Sequence, residues 1–159
     1  MKENFEKLPL RNGVGVIILN SQNKVFVARR IDNPKNFWQM PQGGVEDGED
    51  YYKAALRELK EETNIKSISL IKEIEGFISY NLPNNLLGII WKGKYKGQKQ
   101  KWFIMKFTGK DNEININTKK PEFLDWQWVD LETITDTVVD FKLKVYEQLI
   151  LEVKKVIPN

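Results

Sequence analysis

The stretch from Gly43 to Ile65, GGVEDGEDYYKAALRELKEETNI, constrains this chain of 159 residues more than any other. A glycine-rich acidic turn leads into a segment with helical periodicity, which predicts a helix from about residue 49 to residue 63. On that helix Glu58, Glu61 and Glu62 are spaced i, i+3 and i+4, so their carboxylates project from one face.

Three like charges on one helix face repel each other, and a divalent cation between them converts that repulsion into coordination. Clustered carboxylate oxygens suit Mg²⁺, and Mn²⁺ or another divalent cation can substitute for it. A solvated acidic helix face is the alternative interpretation. The three glutamates by themselves leave both interpretations open.

The amino-acid composition excludes several kinds of catalytic site. The chain has no histidine and no cysteine, which rules out a Ser–His–Asp triad, histidine-ligated zinc, disulfides and thiol catalysis. No apolar run is long enough to span a membrane, and the N-terminal MKENFEKLPL lacks the apolar core of a signal peptide. We therefore expect a cytoplasmic protein with no membrane partner, whose acid–base chemistry falls to carboxylates, lysine, tyrosine or water.

The net charge of +3 is unevenly distributed along the chain. Residues 46–62 contain seven acidic and three basic side chains, whereas residues 92–110 contain seven lysines and no acid. An acidic pole and a basic pole on one small domain suit a polyanionic substrate that is bridged by cations.

The remaining sequence alternates between strand and helix patterns. Strands are predicted at residues 13–19, 24–30, 68–74, 77–80, 99–107, 113–117 and 125–129. A second helix is predicted from about residue 140 to residue 156, and Asp47 is the expected N-cap of the first helix. We expect one α/β domain over residues 1–159, an α/β/α sandwich with a mixed sheet between helices, in which residues 1–9 form a loose arm.

The motif resembles the Nudix box, the signature of hydrolases that cleave a nucleoside diphosphate linked to another group. The matching positions are Gly43, Glu49, Arg57, Glu58, Leu59, Glu61, Glu62 and Ile65. The resemblance implies the Nudix fold, a divalent cation on the glutamates, a catalytic motif that includes Arg57, and structural roles for Gly43, Gly44 and Glu49. Asn64 stands where the family usually has glycine, but asparagine tolerates a left-handed helix C-cap.

Glu49 and Arg57 can also be interpreted without the resemblance. The two side chains can form an ion pair that holds the acidic turn against the helix, although an ordinary surface contact is the alternative.

The resemblance extends over nearly the whole chain, to the bacterial group of RNA pyrophosphohydrolases and dinucleoside polyphosphate hydrolases. Further matching segments are Val14-Gly15-Val16, Ala28-Arg29-Arg30, Trp38–Gly44, Gly97–Phe103, Pro121-Glu122-Phe123, Trp126-Gln127-Trp128 and Phe141-Lys142. The segment Gly97–Phe103, GQKQKWF, is specific to this group.

The resemblance also implies additional site residues. Glu122 would supply a fourth carboxylate to the metal, and Phe141 would stack on the first base with Arg30 on its opposite face. Val139 could line the same pocket. Core packing is the alternative for Phe141 and Val139. Candidate phosphate contacts are Arg11, Arg30, Lys99 and Lys101, although the lysines could equally belong to a solvated hairpin.

Three functions compete at this point. The first removes pyrophosphate from the 5′-triphosphate end of RNA, and the second hydrolyses dinucleoside polyphosphates. The third is a non-catalytic nucleotide sensor, which the intact glutamates Glu58, Glu61 and Glu62 disfavour. Either Glu58 or Glu62 would accept the proton of the attacking water. We expect a monomer, and the sequence identifies no protein partner.

Overall fold

The computed structural model describes residues 5–32 and 35–158. Its strands are β1 (Leu10–Leu19), β2 (Val25–Arg30), β3 (Trp38–Gln39), β4 (Gln42–Gly44), β5 (Ile68–Glu73), β6 (Ile78–Asn81), β7 (Gly97–Phe107) and β8 (Phe123–Val129). Its α-helices are α1 (Tyr51–Thr63) and α2 (Leu143–Lys154), and short 3₁₀ turns lie at Ile90–Gly93, Asp111–Glu113, Leu131–Thr133 and Asp140–Lys142.

Strand β1 is central to the sheet. It pairs in parallel with β7 along its whole length, from Leu10 opposite Gly97 to Leu19 opposite Lys106. Its other edge pairs antiparallel with β4 and β2. Strands β3 and β8 extend the sheet beyond β2, and β5 and β6 extend it beyond β7, all antiparallel. One parallel pair among antiparallel ones confirms the predicted mixed sheet.

Alternate residues of the strands face opposite sides of the sheet and form two apolar cores. The core on the α1 side includes Val14, Val16, Ile18, Ala55, Leu59 and Phe103. The core on the α2 side includes Ile17, Leu19, Trp102, Ile104, Tyr146 and Leu149. Each helix buries its apolar stripe on one sheet face, so the α/β/α sandwich is confirmed.

Helix α1 begins two residues later than predicted, and Asp47 is not its N-cap. Asp50 holds that position, where its Oδ2 accepts a hydrogen bond of 3.1 Å from the backbone N–H of Lys53. At the other end Asn64 adopts a left-handed conformation, with φ 61°, as expected for a C-cap. Both ends of the helix that carries the glutamates are therefore fixed by their own caps.

The predicted strand at residues 113–117 is wrong. The backbone N–H of Asn115 donates to the carbonyl of Thr63 instead of to a neighbouring strand. The carboxylate of Glu113 accepts from the backbone N–H groups of Lys66 and Ser67 at 2.7 and 2.8 Å. This segment therefore closes the C-terminal end of α1, because its backbone groups find their partners there.

The ends of the domain also differ from the expectation. Residues 1–4 of the predicted loose arm lie outside the described residues, but residues 5–9 are held in place. The carbonyl of Pro9 accepts from the backbone N–H of Lys96, and that of Glu6 accepts from the Lys96 ammonium.

Helix α2 begins at residue 143 and not at residue 140 as predicted, because residues 140–142 form a 3₁₀ turn. Among the described residues, neither helix is long and apolar enough to cross a membrane.

Candidate active site

A cleft of about 660 Å³ opens beside α1 where β1, β2 and β4 meet. It brings together these predicted site residues: Arg11, Arg30, Gly43, Gly44, Glu58, Glu62, Glu122, Val139 and Phe141. These residues come from both halves of the chain, so the folded sheet unites segments that are far apart in sequence.

Glu58 and Glu62 lie one helical turn apart and both face the cleft. Glu62 is only 4% exposed, and its Oε2 has no hydrogen-bond partner among the described residues. Burial, followed by the negative charges of Glu122 and Glu58, raises the pKa of Glu62 well above its ordinary value. Burial also raises the pKa of Glu58, against the opposing effect of Arg57.

Glu122 approaches the helix from the loop before β8, as the resemblance implied. Its carboxylate lies 3.8 Å from the guanidinium of Arg30. Arg30 is also held by Asp32, which accepts two hydrogen bonds from it at 2.8 and 2.9 Å. The cleft thus has a carboxylate cluster of Glu58, Glu62 and Glu122, with an arginine beside it.

Glu49 and Arg57 form the predicted ion pair. The guanidinium of Arg57 donates to both oxygens of Glu49, at 2.8 and 2.9 Å, and also to the carbonyl of Gly44 at 3.0 Å. The hydrogen bonds from Arg57 lower the pKa of Glu49 to about 2. Arg57 also donates to Glu58 at 3.1 Å. The pair therefore fixes the acidic turn against α1 and orients one carboxylate of the cleft.

Charged side chains pass close over the two motif glycines. A Cβ at Gly43 would overlap the carboxylate of Glu58, and a Cβ at Gly44 would overlap the guanidinium of Arg11. Strand β4 therefore carries glycine at the two points where charged groups of the cleft pass over its backbone.

Glu61 is not brought to the cleft, in contrast to the expectation that all three glutamates share one face. Its side chain is 60% exposed and lies 3.4 Å from Arg57. On α1 the side chain at i+4, Glu62, faces the cleft as Glu58 does, whereas the side chain at i+3, Glu61, faces solvent. Among the described residues no three acidic side chains, those of Glu58, Glu62 and Glu122 included, lie close enough together to hold a metal ion as they stand.

Lys99 and Lys101 also lie away from the cleft. Their ammonium groups sit 5.1 and 5.6 Å from the ring centre of Phe77, and Lys101 donates to the carbonyl of Gly76. Because side chains alternate along β7, Gln98 and Gln100 point to the opposite face of the sheet. The structure therefore does not place these two lysines beside the carboxylates, and their contact with phosphate stays a prediction.

Phe141 and Val139 line the cleft from the segment that precedes α2. The Phe141 ring is partly buried and packs on Tyr80, with 5.6 Å between ring centres. It thus contacts the core and the cleft together, so the two interpretations of this residue are compatible. Arg30 lines the same cleft.

A profile of the NUDIX domain matches residues 9–149. The chain belongs to the NUDIX family.

Among Nudix relatives, the RNA pyrophosphohydrolase of Pelagibacter ubique (strain HTCC1062) is 68% identical over 157 residues, covering 99% of each chain. The RNA pyrophosphohydrolase of Rhodospirillum rubrum is 48% identical over 91% of this chain and 87% of that protein.

Solved Nudix structures share the fold at low sequence identity. The E. coli dihydroneopterin triphosphate pyrophosphohydrolase has a TM-score of 0.71 at 24% identity, covering 92% of this chain and 99% of that one. A C. elegans Ap4A hydrolase has a TM-score of 0.64 at 18% identity, covering 90% and 98%.

The Nudix cleft also contains residues that sequence reasoning did not assign to it. They are Asp32, Gln39, Gln42, Leu82, Leu86, Ile90, Trp91 and Lys142, together with Tyr80, whose side chain reaches it as well. Lys142 follows Phe141 directly, and burial lowers its pKa to about 7. The apolar residues between 82 and 91 gave no periodic signal, because they sit in a turn-rich segment rather than in a helix or strand.

Proposed function

We propose that this Nudix protein is a Mg²⁺-dependent RNA pyrophosphohydrolase. It hydrolyses the 5′-triphosphate end of RNA to a 5′-monophosphate and releases pyrophosphate, a step that can trigger RNA decay. The observation that carries the proposal is one cleft that holds a carboxylate cluster, two arginines and an aromatic ring. Full-length similarity to proteins named RNA pyrophosphohydrolase supports the same substrate.

The carboxylates fit a divalent cation. Glu62 has a buried oxygen without a hydrogen-bond partner in the described chain, and the charges of Glu58 and Glu122 act on it directly. Oxygen ligands of this kind are those that Mg²⁺ prefers. Glu58, Glu62 and Glu122 would hold it, with Glu61 as a further ligand from the exposed side of the helix. Bound Mg²⁺ would neutralise phosphate charge and make water more acidic.

The chain's own residues orient the reaction. Water attacks phosphorus, the bond to the bridging oxygen breaks, and pyrophosphate leaves as the RNA keeps one phosphate. Either Glu58 or Glu62 takes the proton of the attacking water. Arg57 holds Glu58 in position through the 3.1 Å hydrogen bond. Arg11 supplies positive charge for the phosphates.

The base of the first nucleotide would lie beside Phe141. A ring and a guanidinium can sandwich a base without selecting its identity, and Arg30 is fixed by Asp32 at the same cleft. Val139 and Lys142 line the adjoining wall.

A dinucleoside polyphosphate is the second candidate substrate. The observation that favours it is a second aromatic side chain, Trp91, which lines the same cleft and could face a second base. Such a substrate would be cut to ATP and the remaining nucleotide.

The deciding experiment compares kcat/KM on triphosphorylated RNA with kcat/KM on diadenosine tetraphosphate, each at saturating Mg²⁺. We expect the RNA to be preferred by at least about tenfold, which corresponds to about 1.4 kcal/mol in transition-state binding. A tenfold preference for the dinucleotide would reverse the assignment. If the protein hydrolysed neither substrate, the proposed enzymatic activity would be refuted.

An RNA 5′ end as substrate places the activity in the cytoplasm, and we expect the protein to act as a monomer without contact with membranes. Size-exclusion chromatography with light scattering tests the oligomeric state.

A further inference from the structure

Arg11 differs from the other arginines of the cleft region in its partners. Arg30 is paired with Asp32, and Arg57 is paired with Glu49. Within residues 5–32 and 35–158 Arg11 forms no ion pair or hydrogen bond: its guanidinium packs over Gly44, and its guanidinium carbon lies 5.1 Å from the ring centre of Trp91. A guanidinium stacked on a ring keeps its N–H edge available, and that edge matches a phosphate.

The contacts of the cleft carboxylates show which charged groups are neighbours. Arg30 lies 3.8 Å from Glu122, and the negative charges of Glu122 and Glu58 both affect Glu62. Glu58 packs over Gly43, and Arg11 packs over the next residue of β4. Arg30 is therefore the neighbour of Glu122, whereas Arg11 and Glu58 lie over consecutive glycines of β4.

The proposed function gives a bound substrate a direction. With its first base beside Phe141 and Arg30, its phosphates would lie at the carboxylates and at Arg11, which line the same cleft. A second cavity of about 330 Å³ shares Arg11, Gly44 and Glu58 with the cleft, and Glu46, Asp47 and Arg57 also line it. Terminal phosphates would have space there together with the cations that neutralise them.

Trp91 is held in a conformation that the local sequence does not favour. It has φ 52°, and Lys92 has φ 57°, both in the left-handed region that non-glycine residues rarely adopt. Such strain persists only where surrounding contacts enforce it, and it is often found at ligand clamps.

Surrounding contacts hold the segment that carries Trp91. The Trp91 ring packs edge-on against Tyr95, with 6.2 Å between ring centres. The backbone N–H of Lys96 donates to the carbonyl of Pro9, two residues before Arg11. The segment from residue 91 to residue 96 is thus joined to the start of β1, where Arg11 lies.

We propose that Trp91 is a positioning residue, whose ring orients the guanidinium of Arg11 to bind the terminal phosphates of the substrate and the pyrophosphate that leaves. This inference rests on the proposed function for the direction of the substrate. Trp91 acts through Arg11 and does not itself touch the phosphates.

Calorimetric titration with inorganic pyrophosphate at fixed Mg²⁺ measures this role without turnover. Arg11→Gln removes a charge-assisted hydrogen bond, and pyrophosphate affinity should fall about 10- to 100-fold. Trp91→Met leaves Arg11 to be ordered on binding, and affinity should fall about 3- to 10-fold. In the double variant, Trp91→Met should add less than about twofold to the effect of Arg11→Gln.

Two variants serve as controls. Trp91→Phe keeps a ring under Arg11 and should bind pyrophosphate within about twofold of the wild type. Ile89→Ala alters a neighbouring side chain that is 69% exposed and outside the cleft lining, and it should bind like the wild type. Thermal unfolding of each variant checks that it is folded.

An unchanged affinity in Trp91→Met would overturn the inference, as would an equal loss in the Arg11→Gln background, since Trp91 would then contact the ligand directly. Should Trp91→Met not fold, NMR of the wild type decides instead. The Arg11 side-chain signals should show the ring-current shift of a stacked group and should move when pyrophosphate is added; unshifted signals would refute the stack.

The role of Trp91 and the proposed function can fail independently of each other. If the wild type fails to hydrolyse triphosphorylated RNA, the proposed function falls whatever the calorimetry gives. If it hydrolyses that RNA and the two Trp91 tests fail, only the role of Trp91 falls.

Discussion

Glu62 has the most unusual environment of the acidic residues in the cleft. Its side chain is almost fully buried, whereas that of Glu61, the next residue back, is 60% exposed. Among the described residues Glu62 forms no ion pair, and burial of such a carboxylate costs folding free energy, as is typical of sites built for a ligand. A cation bound at Glu62 would offset this free energy.

Glu58→Gln tests the role of the carboxylates at the level of one residue. The substitution keeps the shape of the side chain but removes its charge and its ability to accept a proton. Turnover of triphosphorylated RNA should fall at least about 100-fold with Mg²⁺ saturating, the usual effect of removing an acid–base or metal-binding group.

The matched control for that variant is Glu147→Gln, which neutralises an exposed glutamate on α2 outside the cleft lining. It should keep the turnover of the wild type. Near-normal turnover in a folded Glu58→Gln enzyme would contradict the assignment of Glu58.

At the scale of elements, α1 is held by contacts at both ends. Its first turn is capped by Asp50, and its C-terminal end is closed by Asn64 and by the segment around Glu113. The side-chain amide of Asn64 donates to the carbonyl of Asn115 at 2.6 Å. These contacts explain how a helix with an unfavourable row of acidic side chains stays in place against the sheet.

Glu113→Gln tests the closure of α1 through its pH dependence. Hydrogen bonds, that from Ser67 Oγ first, lower the pKa of Glu113 below its ordinary value of 4.5. A lowered pKa means that the folded state favours the carboxylate, so this stabilisation is present above pH 4.5 and is lost as the pH falls below it.

The free energy of unfolding in urea should therefore be lower for Glu113→Gln than for the wild type at pH 7, and the difference should shrink at pH 3. Below pH 4.5 the unfolded chain takes up a proton at Glu113 first, and the folded protein follows at its lowered pKa, so the wild type comes to resemble the neutral variant. A difference that is the same at both pH values would show that the carboxylate charge plays no part.

At the scale of the whole molecule, the cleft is assembled from strands, loops and a helix that are far apart in the sequence. Arg11 comes from β1, Glu122 from the loop before β8, and Phe141 from the turn before α2. Because these segments are joined only through the folded sheet, a cation held between Glu62 and Glu122 would also tie the fold together.

Mg²⁺ should consequently stabilise the folded protein. A ligand at 100 times its Kd adds about 2.7 kcal/mol, which corresponds to a rise of roughly 5–10 °C in Tm for a chain of this size. Thermal unfolding in Mg²⁺ and in EDTA measures the shift.

Glu62→Gln should have a smaller Mg²⁺ shift than the wild type, because one ligand is weakened. Glu75→Gln, at an exposed position away from the cleft, should keep the full shift. Equal shifts in the wild type and Glu62→Gln would exclude Glu62 as a ligand.

The Nudix motif and the α/β/α layers of this protein were predictable from its sequence. Local periodicity is sufficient to define α1, the main strands and the family motif, because these depend on neighbours within a few residues. The ion pair of Glu49 with Arg57 was also predictable, because both residues lie within the motif that forms one turn and one helix.

The positions of several side chains relative to the cleft depend on the tertiary structure. It brought Glu122 to Glu62 but left Glu61 in solvent, and it turned Lys99 and Lys101 to the opposite face of β7. It also placed Trp91 over Arg11. These outcomes depend on strand register, on the side of the sheet that each residue faces and on contacts across more than 50 residues of chain, and no local pattern encodes them.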